Sequence, residues 1–134
     1  MALDLGEVRI GVALSDPSGS FASPLEVLKM EDGWPLKVKE LVERNSVTLI
    51  VVGLPIRTDG SSGPEVQRVL GWLEELKAVV QQVEIVTVDE RFTTSIAQRF
   101  LLEGDVRREK RKGKVDKVAA ALMLQDYLNS RRGS

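Results

Sequence analysis

The sequence predicts an α/β fold, a mixed five-stranded sheet flanked by helices, on three observations. Short β-rich segments open the chain at hairpin spacing, with turn residues between them. Beyond residue 47, β-branched runs alternate with stretches of helical periodicity, the pattern of parallel strands joined by helices. The length of 134 residues, with 43% apolar and 29% charged residues, fits a single domain spanning 1–134 that can bury a core.

Met1 to Leu5 reads as a first, short apolar strand, turned at Gly6 and Glu7. Arg9 to Leu14 (RIGVAL) is a second strand, ended by the turn cluster Ser15-Asp16-Pro17-Ser18-Gly19-Ser20. Phe21 to Leu28 is a third strand, weakened by Pro24. Trp34 to Arg44 carries Leu36, Val38, Leu41 and Val42 at helical spacing. Thr48 to Val52 (TLIVV) is a buried-strand run, closed by Gly53-Leu54-Pro55 and a loop over 57–63. Pro64 then starts a helix to about residue 80, with Val66, Val69, Leu70, Leu73, Leu76 and Val80 as its apolar stripe. Trp72 at the stripe's margin and Trp34 are expected to be buried. Val83 to Val88 alternates as a strand. Thr93 or Thr94 caps a helix carrying Ile96, Ala97, Phe100 and Leu101. A basic loop and a last helix from about Val115 to Asn129 follow. The predicted order, β-β-β-α-β-α-β-α-α, is that of the ribonuclease H-like fold.

The chain has no cysteine and no histidine. That excludes disulfides, thiolate or Ser-His-Asp catalysis, and zinc or haem held by those residues. A divalent metal would need oxygen ligands, which favours magnesium, manganese or calcium. The net charge of −1 hides an asymmetry: residues 107–114 (RREKRKGK) carry +5, and the rest of the chain −6. A compact basic segment of Arg107, Arg108, Lys110, Arg111, Lys112 and Lys114 suits a local polyanion contact, and otherwise reads as a solvated surface. No apolar run reaches membrane-spanning length and no signal peptide opens the sequence, so a cytoplasmic protein is expected.

Three carboxylates fall where rigid elements end. Asp4 closes the first strand, Glu90 follows the strand 83–88, and Asp116 lies in the first turn of the last helix, one turn before Ala119-Ala120. Ligands of open α/β sheets gather at the carboxyl ends of strands. Taken singly, Asp4 reads as a turn aspartate, Glu90 as a surface partner of Arg91 or Arg99, and Asp116 as a helix N-terminal acid. Brought together, they would need cations between them. Two Mg²⁺ or Mn²⁺ ions in such a site perform in-line phosphoryl displacement without histidine or cysteine.

These segments resemble the YqgF/RuvX family, described as Holliday-junction-resolvase-like proteins and as nucleases maturing the precursor of small-subunit ribosomal RNA. The resemblance rests on Ala2-Leu3-Asp4-Leu5-Gly6, Arg9-Ile10-Gly11-Val12-Ala13, Ser15-Asp16, Ile50-Val51-Val52-Gly53-Leu54-Pro55, Asp59-Gly60 and Gly63-Pro64. It continues through Val88-Asp89-Glu90-Arg91-Phe92-Thr93-Thr94, the basic run, and Val115-Asp116-Lys117-Val118-Ala119-Ala120. It implies a ribonuclease H-like, Mg²⁺- or Mn²⁺-dependent endonuclease with Asp4, Glu90 and Asp116 as catalytic metal ligands. Gly6, Gly53-Leu54-Pro55 and Arg91 would line the same edge. In the usual order of that fold the strand before Glu90 lies two steps from the first, roughly 10 Å away, and Asp89 is the alternative middle carboxylate.

Arg91, Arg107, Arg108, Lys110, Arg111, Lys112, Lys114 and Lys117 would contact the nucleic acid, mainly its backbone. A four-way DNA junction would call for a homodimer, a single cut in precursor ribosomal RNA would not. Two rivals stand beside this: a non-catalytic nucleic-acid-binding or regulatory module, and a phosphotransferase of the actin and sugar-kinase type. The latter needs two such domains around its nucleotide, and this chain has length for one.

Overall fold

The computed structural model describes residues 1–55, 63–89 and 108–132, and for 108–116 and 132 it gives the backbone course only. The elements are β1 (Ala2–Leu5), β2 (Arg9–Ser15), β3 (Ala22–Lys29), α1 (Trp34–Arg44), β4 (Leu49–Leu54), α2 (Pro64–Val79), β5 (Glu84–Asp89) and α3 (Arg108–Arg132). The five strands form one mixed sheet in the order β3-β2-β1-β4-β5. β1 and β3 run antiparallel to β2, and β4 is parallel to both β1 and β5. This is the predicted sheet, with β5 two steps from β1.

Strand alternation splits the core in two. Leu3 and Leu5 of β1 and Met1 just ahead of it, with Ile10, Val12, Ile50 and Val52, face α1 and α2. Ala2, Ala13 and Val51 face α3 through Ala120, Ala121, Met123 and Leu124. Large aliphatic side chains fill the first face, whereas alanines on the second let one helix lie close to the sheet.

Pro24 is tolerated because β3 is an edge strand and because the β2–β3 register shifts beside it. Ala13 pairs with Pro24 and Val12 with Glu26, so Leu25 is the extra residue of a bulge.

Three expectations are corrected. The stripe of α1 is centred on Trp34, Pro35, Val38, Leu41 and Val42, and Leu36 is 62% exposed. In α2, Val66, Val69, Leu73 and Leu76 are buried, but Leu70 is 40% exposed. Both leucines lie beyond the edge of an apolar stripe that the sheet cannot reach across. Third, the basic run from Arg108 is the start of α3, not a loop. Arg, Lys and Glu are strong helix formers, and Gly113 alone costs about 1 kcal/mol against alanine. Trp34 is buried as expected and Trp72 packs half-buried against the core. The expected helix over 93–101 and most of the loop over 57–63 lie outside the described residues.

The amino end is sewn into the sheet. The Met1 ammonium donates to the Leu49 carbonyl (3.0 Å), and Val51 N–H donates to the Met1 carbonyl (2.8 Å). Burial pushes the amino group's pKa down from 8.0 to about 6. Between those values the unfolded chain binds a proton that the folded chain lacks, so stability is full above pH 8 and falls as pH drops toward 6. With no histidine or cysteine, no side chain ordinarily titrates in that window. Melting of this chain should therefore weaken by about 2 kcal/mol from pH 8.5 to pH 6. A version with extra residues ahead of Met1, which carry the amino group elsewhere, should lose that dependence.

Candidate active site

Asp4 is the last residue of β1 on the α3 side, two positions after Ala2, and it is half-buried. Across β2 it pairs with Gly11. On its other side, β4 pairs Val51 with Ala2 and Val52 with Leu3, so the next step sets Gly53 beside Asp4. The carboxylate thus stands in a cross-strand row whose two neighbours have no side chain. One row deeper, the same face is filled by Ala13, Ala2 and Val51. Glycine inside a strand marks a close approach by something other than a neighbouring side chain.

The chain leaves β1 by a tight turn in which Gly6 N–H donates to the Arg9 carbonyl (3.0 Å). A Cβ on Gly6 would meet that oxygen at 2.9 Å, so glycine is the residue the turn accepts.

α3 is seated by more than alanines. Gln125 accepts from Ala22 N–H (2.9 Å) and donates to the Ser20 carbonyl (3.0 Å). Ala22 pairs with Ser15, at the end of the sheet away from Asp4. The carboxyl half of α3 therefore lies at that far end, and its amino half points to the Asp4 edge. Going back one turn from Ala120 to Asp116 covers about 6 Å along the helix. Going forward from Ala2 to Asp4 covers about 6.6 Å along the strand. The two steps are of matching length and run to the same end of the sheet, so position 116 lies on the Asp4 side of Ala120, although 112 residues separate Asp4 and Asp116 in sequence.

The other expected residues divide as follows. Glu90, Arg91 and Arg107 lie outside the described residues. Arg108, Lys110, Arg111, Lys112 and Lys114 are on the first two turns of α3, and Lys117 is half-buried on the same helix. Asp89, the alternative middle carboxylate, ends β5 beside Leu54. Val86 and Val88 belong to the α3 face and Ile85 to the other. Alternation puts Asp89 with Ile85, on the side away from Asp4. Among the described residues no group of three acidic, histidine or cysteine side chains could hold a metal ion.

Asp16, read from sequence as a turn residue, is one. It accepts from Ser20 N–H (2.7 Å), Phe21 N–H (3.1 Å) and the Ser18 hydroxyl (2.9 Å). The Phe21 bond first, then those of Ser20 and Ser18, hold its pKa below the usual carboxylate value.

Several residues at or behind the site were not singled out from sequence. Glu7 in the β1–β2 turn forms an exposed ion pair with Arg68 of α2, which sets the amino half of α2 near the Asp4 edge. Gly53 was expected at this edge from the family resemblance, and Gly11 lay in a matching segment, but their place on either side of Asp4 comes from the strand register. Gln125 carried no signal.

A family model described as "RuvX: Holliday junction resolvase" matches residues 1–130. A protein from Roseiflexus sp. (strain RS-1), named "Putative pre-16S rRNA nuclease", is 42% identical over 98% of this chain and 94% of its own length. One of the same name from Fusobacterium nucleatum is 43% identical over 98% of this chain and 97% of its own. Among solved structures, "T. thermophilus RuvC in complex with Holliday junction substrate" superposes with a TM-score of 0.57 at 16% identity, covering 98% of this chain and 93% of that one. A Fowlpox virus resolvase bound to Holliday junction DNA gives a TM-score of 0.51 at 11% identity, over 96% of this chain and 95% of that one. At these identities the two structures share the resolvase fold with this chain, as expected for the ribonuclease H-like class. The full-length match and the identity to its relatives place the chain in the RuvX family.

Proposed function

We propose that this RuvX-family nuclease hydrolyses phosphodiester bonds of structured nucleic acid, with Asp4, Glu90 and Asp116 holding Mg²⁺ or Mn²⁺. The observation that carries the reading is the Asp4 row: a carboxylate at a strand end, flanked by Gly11 and Gly53, with the amino half of α3 directed to the same edge. The donor set is all oxygen, which suits hard dications. Asp89 falls on the wrong face, which leaves Glu90 as the middle carboxylate of the proposal.

When bound, the ions supply an activated water for in-line attack and stabilise charge on the leaving oxygen. Asp4 orients that assembly from a rigid strand end. The glycines beside it let a phosphate come close to the sheet. The basic first turns of α3 grip the substrate backbone and add affinity with little base reading.

The relatives' name supports precursor ribosomal RNA as substrate; a cytoplasmic location goes with that substrate as part of the proposal. The neighbours' ligands support a four-way junction, whose paired cuts would need two copies of this chain. Cleavage of both substrates, assayed side by side, is expected in Mg²⁺ or Mn²⁺, to be lost on adding EDTA and restored by excess Mn²⁺. Cleavage indifferent to EDTA, or none on either substrate with either metal, overturns the proposal. In the latter case binding alone would favour the non-catalytic module.

A further inference from the structure

The sheet-facing stripe of α3 continues past the core toward the Asp4 edge. Leu124, Ala121 and Ala120 pack on the sheet among Ala2, Ala13 and Val51. Lys117 lies seven, four and three residues before them, so it belongs to the same stripe. It is about 4.5 Å along the helix from Ala120, toward the edge at which Asp4 ends β1. A helical Cα–Cβ bond tilts toward the amino end of its helix. The amino half of α3 points to the Asp4 edge, so the Lys117 side chain leans further that way. α3 packs mainly across β2 and β3. Next after Ala13 on this face of β2, toward the same edge, is Gly11, the partner of Asp4, which puts no side chain in the way.

Lysine is an unusual member of such a stripe. Lys117 is half-buried, yet it forms no hydrogen bond or ion pair among the described residues. No polar side-chain atom among the described residues is buried without a partner, so its ammonium reaches solvent while its stem is covered. A lysine that merely ends a stripe does the same. Lys117 differs in where it ends: beside the glycine-flanked row of Asp4, where the reacting phosphate of the proposed function sits. Arg108, Lys110, Arg111, Lys112 and Lys114 lie on the turns before it, ahead of the part of α3 that packs on the sheet.

We propose that Lys117 is a catalytic residue whose ammonium touches a non-bridging oxygen of the scissile phosphate. Negative charge grows on that oxygen as the water oxygen bonds to phosphorus and the bond to the leaving oxygen breaks. One proton of the water passes through solvent to the leaving oxygen; Lys117 forms no covalent bond and transfers no proton. A cation already in place where charge develops stabilises the transition state more than the bound substrate. This rests on the nuclease reading and deepens it, because the stripe separates Lys117 from the residues that grip the backbone.

The test compares Lys117→Met with Lys117→Arg. Methionine keeps a long, flexible stem and suits an apolar stripe, so Lys117→Met should melt no lower than wild type. On a four-way DNA junction and on precursor ribosomal RNA, whichever is cut, its kcat should fall about a hundredfold, as when one donor to a developing oxyanion is removed. Its Kd for uncut substrate, with Ca²⁺ in place of Mg²⁺, should rise less than about threefold. Lys117→Arg keeps the charge and should recover kcat to within about tenfold of wild type. Lys39→Met, the same change on exposed α1, should alter neither quantity. A kcat within about threefold of wild type in Lys117→Met, or a loss confined to Kd, would overturn the proposal. So would a Lys117→Arg as slow as Lys117→Met. Where wild type cuts and Asp4→Asn does not, such a result removes Lys117 alone. A wild type that cuts neither substrate with either metal removes the nuclease reading and this proposal with it.

Discussion

Replacing Asp4 by Asn should lower metal-dependent cleavage by a factor on the order of a thousand or more, since losing a central metal ligand forfeits several kcal/mol of transition-state stabilisation. The fold should hardly notice. Asn has nearly the shape of Asp, and position 4 is half-buried. Where carboxylates crowd, neutralising one relieves repulsion in the metal-free protein. Melting within about 1 kcal/mol of wild type is therefore expected, in line with substitutions that remove no packing. Asp89→Asn is the companion variant. It changes a carboxylate at the same sheet edge, but on the α1/α2 face, and should alter the rate less than about threefold. Rapid cleavage by Asp4→Asn would reject the site. A loss in Asp89→Asn equal to that in Asp4→Asn would reject the assignment by face.

The element order was legible because its signals are local. Gly6 and the Ser15–Ser20 cluster punctuate the first strands, and the run TLIVV is too β-branched to be much else. What periodicity could not give was the centre of each helical stripe. Leu36 and Leu70 satisfy the spacing, yet the side chains that join the core are Trp34, Val38, Leu41 and Val42 of α1 and Val69, Leu73 and Leu76 of α2. The basic run was misread for a different reason. Charge density says that a segment is solvated, and says nothing against helix when its members are Arg, Lys and Glu.

The site was half legible. Asp4 announced itself by closing a strand before a glycine turn. Asp116 could be tied to it only through Ala119 and Ala120, small residues that hint at a close seat. The proposal's preference for Glu90 over Asp89 needs a face, and only the core that Val86 and Val88 join supplies one for Asp89; Glu90 lies outside the described residues. The pairing of Arg9 with Lys29 between β2 and β3 was out of reach. Without the bulge at Leu25 the hairpin register would set Leu28 opposite Arg9. A single extra residue moves every later side chain of β3 to the other face. Gln125 reaches partners more than 100 residues away, and nothing in its own neighbourhood marks it.

Ala120→Leu tests the seat on which the position of Asp116 depends. Ala120 is fully buried and packs among Ala2, Ala13 and Val51. Leucine there adds three carbon atoms between helix and sheet, against Ala2, Ala13 and Val51, whose small side chains cannot make that room by changing rotamer. Overpacking of this kind costs about 1–3 kcal/mol. The helix relieves it by lifting, and Asp116 sits one turn away on the lever. A displacement of about 1 Å at reacting groups can cost on the order of a hundredfold in rate. Ala120→Leu should therefore melt lower and cut about a hundredfold more slowly at saturating substrate. Its affinity should stay within about threefold, because no phosphate contact is removed. Ala120→Gly gives the contrast: it loses about 1 kcal/mol of helix propensity but keeps the close approach, and its rate should hold. A wild-type rate in Ala120→Leu, despite the lower melting temperature, would show that the distance between α3 and the sheet does not set the position of Asp116.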